Sequence, residues 1–474
     1  MGQASVREYD VAIIGAGPAG LTAATLLTRQ GRRTLVLEAD ATYLGGISRT
    51  VNHNGFRFDL GGHRFSSKSP EVRALWNEIL PEGMLERARL SRIHCRGRFY
   101  SDPLRAGEAL RSLGPLESAR AALSCLYSRA FPDSDPRSFR ASATNRLGAR
   151  LFEIFFRGYS EKVWGISGEE IAAECEATER FHYPVRGPGM MWEAAGARVI
   201  AEGGTIHKDA RVVALRHDVA TDRWTLLARS AAGGETLHRA RQVISSAPLA
   251  ELVPAIAPRP VTAERARHLS YRDFLTVALI LDVPELFPDT WITIHDPSVR
   301  VGRIQNFCSW SPEMVPDPRF SSVGLEYFCF PGDGLWAMPD AALADLAIGE
   351  LERLGLAGRA AVVDAVVVRQ EKAAPVHDDR YREHVAAIRD ELERRFPTLH
   401  LVGRNGMHRH DNQGQAMMTA MLAVRNILAG ERRYDLWTVT EDVEYQGAGA
   451  DADGAAAGAT ATVAPGRLVP VRVG

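Results

Sequence analysis

"YDVAIIGAGPAGLTAATLLTRQGRRTLVLEAD" runs from Tyr9 to Asp40. Val11 to Ile14 is an unbroken apolar run, the pattern of a parallel strand buried on both faces. Gly15, Gly17 and Gly20 follow in G-x-G-x-x-G spacing, with Pro18 and Ala19 before the third glycine. A helix is expected over Leu21–Arg29 and a second strand over Thr34–Glu38. In this arrangement the first glycine allows a tight turn and the second admits a pyrophosphate to the backbone. The third lets the helix pack on the strand. The helix N-terminus offers unpaired N–H groups and a positive dipole end. Glu38 lies 18 residues beyond Gly20, placed to accept ribose hydroxyls. An acid there disfavours a 2′-phosphate. The stretch therefore reads as a dinucleotide cradle at the head of an α/β chain.

The next residues favour a flavin over a nicotinamide. "LGGISRTVNHNGFRFDLGGHRF" places Gly45, Gly46, Ser48 and Arg49 just past the ribose acid, and Gly61 and Gly62 before His63 and Arg64. Such glycines let a bulky ring lie against backbone, and Arg49 can complement pyrophosphate charge. His63 leads the active-site candidates, with Arg64 beside it.

These segments, with "YPVRGPGMMWEAAGARVIAEGGTIHKDARVVAL" and "LVGRNG" further on, resemble the flavoprotein superfamily of amine oxidases, phytoene desaturases and protoporphyrinogen oxidases. The UDP-galactopyranose mutases belong to it too. The resemblance spans residues 8 to about 440 and implies FAD. It also implies that Val212 lies near the adenosine, and that Gly403, Arg404 and Met407 lie toward the flavin's ribityl and phosphate portion. Within that superfamily the mutases look nearest. "FEIFFRGYSEKVWGI" resembles their aromatic and basic motif through Tyr159, Lys162, Trp164 and Gly165. Their two diphosphate-binding arginines are not assignable by motif; Arg272 and Arg303 are candidates, and Asn306 joins Arg303 as suited to anionic or polyol recognition.

The fold expected is a Rossmann-like FAD/NAD(P)-binding domain in discontinuous segments, plus a mixed α+β substrate domain. Residues 8–70 form the first FAD segment, 71–180 a helical cap, and 181–255 the second FAD segment with a β-meander. A mixed substrate domain over 256–395 and a closing FAD segment over 396–440 follow. Residues 446–474 are rich in Gly, Ala, Asp and Val and are expected to be disordered.

The chain has 474 residues and a net charge of −1, with arginines interspersed among acids, so nucleic acid is not an expected partner. Five cysteines without CxxC spacing read as reduced thiols, and no metal site is expected. His408 and His410 lack a third ligand cluster, while Asp411 and Asn412 suit helix capping. With no signal segment and no apolar run of roughly 20 residues, a cytoplasmic protein with a small-molecule substrate is expected. The leading function is an FAD-dependent oxidoreductase passing hydride from a polar, glycosylated or nucleotide-linked metabolite to flavin N5, with NAD(P)H as a candidate transient reductant. The alternatives are a non-redox nucleotide-sugar mutase and a binding protein like the GDP-dissociation inhibitors. The intact glycine cradle argues against the last.

Overall fold

The computed structural model describes residues 8–102, 104–133, 139–164, 171–176, 180–330, 332–378, 380–439 and 467–472. One sheet carries the nucleotide cradle. Its parallel strands are Thr205–His207, Thr34–Leu37, Glu8–Ile14, Glu235–Ser245 and Leu399–Leu401, in that order. Strands far apart in sequence thus complete a single parallel sheet. Glu235–Ser245 is long enough to serve twice. Its first half pairs antiparallel with Arg223–Arg229, which pairs with Arg211–Asp218.

Helices Pro18–Arg29, Gly189–Ala201 and Gln413–Ala429 pack together over this sheet. The last opens with a capping box between Asn412 and Gln415 and closes at Gly430 in the left-handed region. Met417, Met418 and Met421 of this helix fill the core.

The second sheet has seven strands in the order Val362–Pro375, Tyr271–Leu281, Ser321–Cys329, Arg303–Asn306, Trp291–Ile294, Ser91–Cys95, Arg98–Ser101. Every residue of Tyr271–Leu281 is buried, which suits a central strand covered on both faces. Two of the seven strands come from the stretch read above as helical. Strand Met84–Ala88 also lies there, paired with Arg180–Pro184. "SRIHCRGRFYS" in fact alternates around an Arg96-Gly97 turn, both residues having positive φ, which is hairpin chemistry. The stretch does contain helices, Pro70–Ile79 and five more from Ala106 to Trp164.

One correction concerns the carboxyl-terminal tail. Arg467–Arg472 forms a strand antiparallel to Ile171–Glu176. Its "RLVPVR" is locally β-rich, and a two-stranded sheet has only edges, where Pro470 is tolerated. The remainder of 446–474 lies outside the described residues.

Hairpin Thr50–His53/Phe56–Asp59 joins the two sheets. Asp59 is fully buried there, accepting from Tyr183 Oη and from Thr50 Oγ1. Burial pushes its carboxyl up to about 7, against those two hydrogen bonds and with help from nearby Glu326. An unfolded aspartate titrates near 3.9, so the folded state holds the extra proton between the two values. Stability from this group is therefore complete below about pH 4 and lost as pH rises through about 7, by up to about 4 kcal/mol. Asp59→Asn is expected to flatten that part of the pH profile. Denaturant midpoints measured below and above neutrality check it; an unchanged slope excludes Asp59 as its source.

Candidate active site

A cleft opens where the parallel strands end, the position at which α/β sheets bind nucleotides. Gly15, Gly17, Pro18, Ala19, Glu38, Gly46, Ser48, His63, Val212, Gly403 and Arg404 line it. The glycines divide their work as their spacing predicts. Gly15 has φ +95, a left-handed value that favours glycine. A Cβ on Gly20 would stand 1.9 Å from the Gly15 carbonyl oxygen, whereas one on Gly17 would meet nothing within 4 Å. Gly20 is thus closed against protein and Gly17 open to the cleft. Glu38 is pinned by N–H donors from Ala16 (2.6 Å) and Asp40 (2.8 Å). Its pKa is raised, by burial first, with those two bonds opposing.

Several cleft residues were not singled out from sequence: Ser246, Gln370, Lys372, Asn405 and Gln413 among them. Ser246 had a signal, since "RQVISSAP" reads as a strand returning to the first sheet and a strand's carboxyl end faces the crevice. Gln370 and Lys372 had none, because they arrive from the second sheet.

Arg49, Gly45, Met407 and Gly62, also expected at the cofactor, are not among the residues that line the cleft. Arg49 reaches the Gly46 carbonyl (3.0 Å), Asp40 (3.5 Å) and Gln370, fastening the turn to the second sheet. These acceptors, two of them on cleft-lining residues, claim the guanidinium. Gly45 turns beside Trp192. Met407 is wholly buried in the core, because its apolar chain packs behind the loop. Gly62 abuts the Trp291 ring, 2.0 Å from where a Cβ would be.

The cleft ends beside a cluster of cations. A Cβ on Gly61 would lie 3.9 Å from both Arg303 Nη2 and His63 Nε2. Arg272 and Arg303 share the Phe328 ring, at 4.6 and 5.4 Å from its centroid. Arg303 is held by Glu326 through Nε at 2.5 Å. Its pKa is raised because Glu326 and Tyr159 outweigh burial. Arg272 falls to about 9 through burial and then repulsion from Arg303. His63 donates from Nε2 to the Leu60 carbonyl at 2.8 Å. Burial, then Arg404 and Arg303, lower it to about 4, so the imidazole is neutral at physiological pH. Arg64 lies 4.0 Å over Trp291 and near Phe181.

Tyr159 stacks on His295 at 4.1 Å and lies close enough to Arg272 and Arg303 to favour their charge. Lys162, the basic residue of the mutase-like motif and so a catalytic candidate, donates to the carbonyls of Ile294 (3.3 Å), Asp296 and Val301 (3.5 Å). The reason is geometric: helix Arg157–Trp164 aims the ammonium at a turn of the second sheet. Asn306 donates to the Phe287 carbonyl at 2.6 Å. One strand position away from Arg303 parity, it faces the opposite side of its strand. Gln305 takes Arg303's side, fully buried, with neither amide atom hydrogen-bonded. Of Trp164 only its place at the helix end is described, and Gly165 lies outside the described residues.

The fold and cleft define a dinucleotide-binding α/β protein with a substrate-side sheet. Residues 18–406 match the flavin-containing amine oxidoreductase family, and the chain belongs to that family. It is similar to a pseudooxynicotine dehydrogenase from a Pseudomonas species, 40% identical over 77 residues, 16% of this chain and 15% of that one. Putrescine oxidase of Kocuria rosea is 38% identical over 79 residues, 17% of this chain and 16% of the oxidase. The chain thus aligns with only a small fraction of either relative's length. In three dimensions it is similar to reduced UDP-galactopyranose mutase, with TM-score 0.76 and 21% identity over 89% of this chain and 96% of the mutase.

Family membership implies FAD, and the residues fit it. Ser48 Oγ, Asn405 Oδ1, Asp411 Oδ2 and Gln413 Nε2 are buried without a hydrogen-bond partner around the cleft, as a polar ligand would require. The Gly15–Gly17 turn and the helix it opens would hold the diphosphate, Glu38 a ribose, and Val212 the adenosine end. Gly17→Ala and Gly20→Ala should therefore part company. Gly20→Ala is expected to cost about 2 kcal/mol or more in folding stability, since backbone meets backbone. Gly17→Ala should melt like the wild type without cofactor and retain less flavin. Thermal melts of apoprotein and absorbance of purified protein read the two; equal melting would refute the division.

Proposed function

We infer that this protein is an FAD-dependent oxidoreductase whose substrate is a small polar metabolite carrying an anionic group, the nucleotide-linked and glycosylated metabolites being the class in view. One observation carries the anionic group. Arg272 and Arg303 converge on one aromatic ring beside His63, and Glu326 pairs with Arg303. Two buried guanidiniums at one ring repel each other, so an arriving phosphate or carboxylate relieves them and gains charge-assisted hydrogen bonds.

The roles of the side chains follow. Arg303, oriented by Glu326, grips the anion, and Arg272 doubles the positive field. Tyr159 bounds the site next to both. Neutral His63, fixed by Leu60, presents an uncharged polar ring at the cleft's end, so proton donation from an imidazolium has no part. Bound FAD would supply hydride acceptance at N5.

A second reading is supported by the same arginine pair, which would serve as the diphosphate grip that such a reaction needs. It is a flavin-dependent nucleotide-sugar mutase without net redox change, for which NAD(P)H would keep the flavin reduced.

The deciding experiment mixes oxidised holoprotein anaerobically with anionic metabolites, and NADPH-reduced holoprotein with UDP-galactose. Bleaching of the flavin band by a metabolite supports the oxidoreductase. Ring contraction by the reduced protein without net oxidation supports the mutase. A colourless protein that refuses FAD ends both. Arg303→Lys is expected to weaken binding of an anionic probe such as UDP by about 10- to 100-fold, read from the flavin spectrum. Lys162→Met should leave that affinity unchanged while lowering the melting temperature.

A further inference from the structure

Helix Pro115–Ala130 turns the wrong face outward for a soluble surface. Ala121 and Ser128 are its buried contacts. Leu116, Leu123, Leu126, Tyr127 and, at the C-cap, Phe131 are each 63–69% exposed. At 100° per residue Leu116, Leu123 and Tyr127 form one line, with Leu126 and Ala130 beside it, opposite Ala121 and Ser128. Of 13 exposed large apolar side chains among the described residues, these five are together and most others are scattered. A contiguous patch of this kind marks an interaction surface.

Charge selects the partner. Residues 87–157 contain 14 arginines, no lysine before Lys162 and 6 acidic residues, a net charge of +8 within a chain totalling −1. Arg96, Arg98, Arg105, Arg111, Arg120 and Arg129 are all exposed on this unit. Glu117 on the helix is already engaged by Arg120 and Arg150. An apolar helix face with an arginine rim suits the plane between headgroups and acyl chains of an anionic lipid surface. A second copy would bring another +8 against the first, which opposes pairing through this face. Among the described residues no helix is long and apolar enough to cross a membrane, so the mode is docking and not spanning.

We propose that the helix Pro115–Ala130 seats this protein on an anionic lipid surface, with Leu116, Leu123, Leu126, Tyr127 and Phe131 entering the interface. The test uses full-length holoprotein, sedimented with vesicles of phosphatidylcholine alone or of phosphatidylcholine with phosphatidylglycerol. Co-sedimentation with the anionic vesicles, falling as salt rises, is expected. Leu123→Ser/Tyr127→Ser should lower the partition coefficient by about tenfold or more while keeping flavin absorbance and melting temperature. Arg111→Glu/Arg129→Glu should weaken binding to anionic vesicles alone. Absence of co-sedimentation, or equal binding by wild type and both variants, overturns the proposal. So does a dimer in light scattering that Leu123→Ser/Tyr127→Ser dissolves, since the face would then belong to a second copy.

Discussion

The rest of the molecule is arranged around a backbone approach that only hydrogen permits. Helix Pro18–Arg29 lies so close to the first turn that a methyl at Gly20 would overlap the Gly15 carbonyl, at 1.9 Å. That proximity keeps the helix axis against the strand it follows and points its first N–H groups over the sheet's carboxyl edge. The Gly15 amide then bonds the end of the second strand at Leu37, and Ser246 bonds back to Ile14. Glu38 closes the arrangement by accepting from Ala16. Cradle, ribose acid and the end of a strand more than two hundred residues away are one hydrogen-bonded unit.

The other end of the cleft is governed by charge. His63 arrives on the loop that follows the inter-sheet hairpin, Arg272 and Arg303 on the second sheet, and Arg404 on the helical turn Gly403–Gly406 after Leu399–Leu401. Burying cations together costs solvation that Glu326 and the aromatic faces of Phe328 and Trp291 only partly return. The depression of Arg272 to about 9 is the local record of that imbalance. It is this local charge, and not the nucleotide cradle, on which the proposed anionic substrate class rests. Lys162, spent on carbonyls of the second sheet, shapes the wall of this region without adding charge to it.

A near-neutral chain also conceals a strong internal asymmetry. The +8 of residues 87–157 is offset by acids elsewhere, so the total of −1 describes no part of the surface. The basic unit is also the one that exposes an apolar helix. Just beyond it in the chain, Tyr159 of helix Arg157–Trp164 lies near Arg272 and Arg303.

The fold class, the cofactor cradle and the turn chemistry were determined by sequence alone, because each depends on neighbours within a few residues. G-x-G-x-x-G followed by an acid constrains backbone whatever surrounds it, and Asn412 with Gln415 is a local cap. The capping reading and the roles of Gly15, Gly17 and Gly20 needed no long-range information. The hairpin at Arg96-Gly97 was legible too, though its arginine-rich alternation resembles a helical face when read at the wrong period. Only the tertiary structure decided which arginines meet. Arg272 and Arg303 sit on different strands, Gln370 and Lys372 enter from a third, and Arg49 is drawn away by Asp40 and Gln370. No spacing encodes those meetings, since they follow from strand order in a sheet whose members are scattered over nearly three hundred residues. Side-chain direction at Lys162 was settled the same way, by which carbonyls the packed helix could reach.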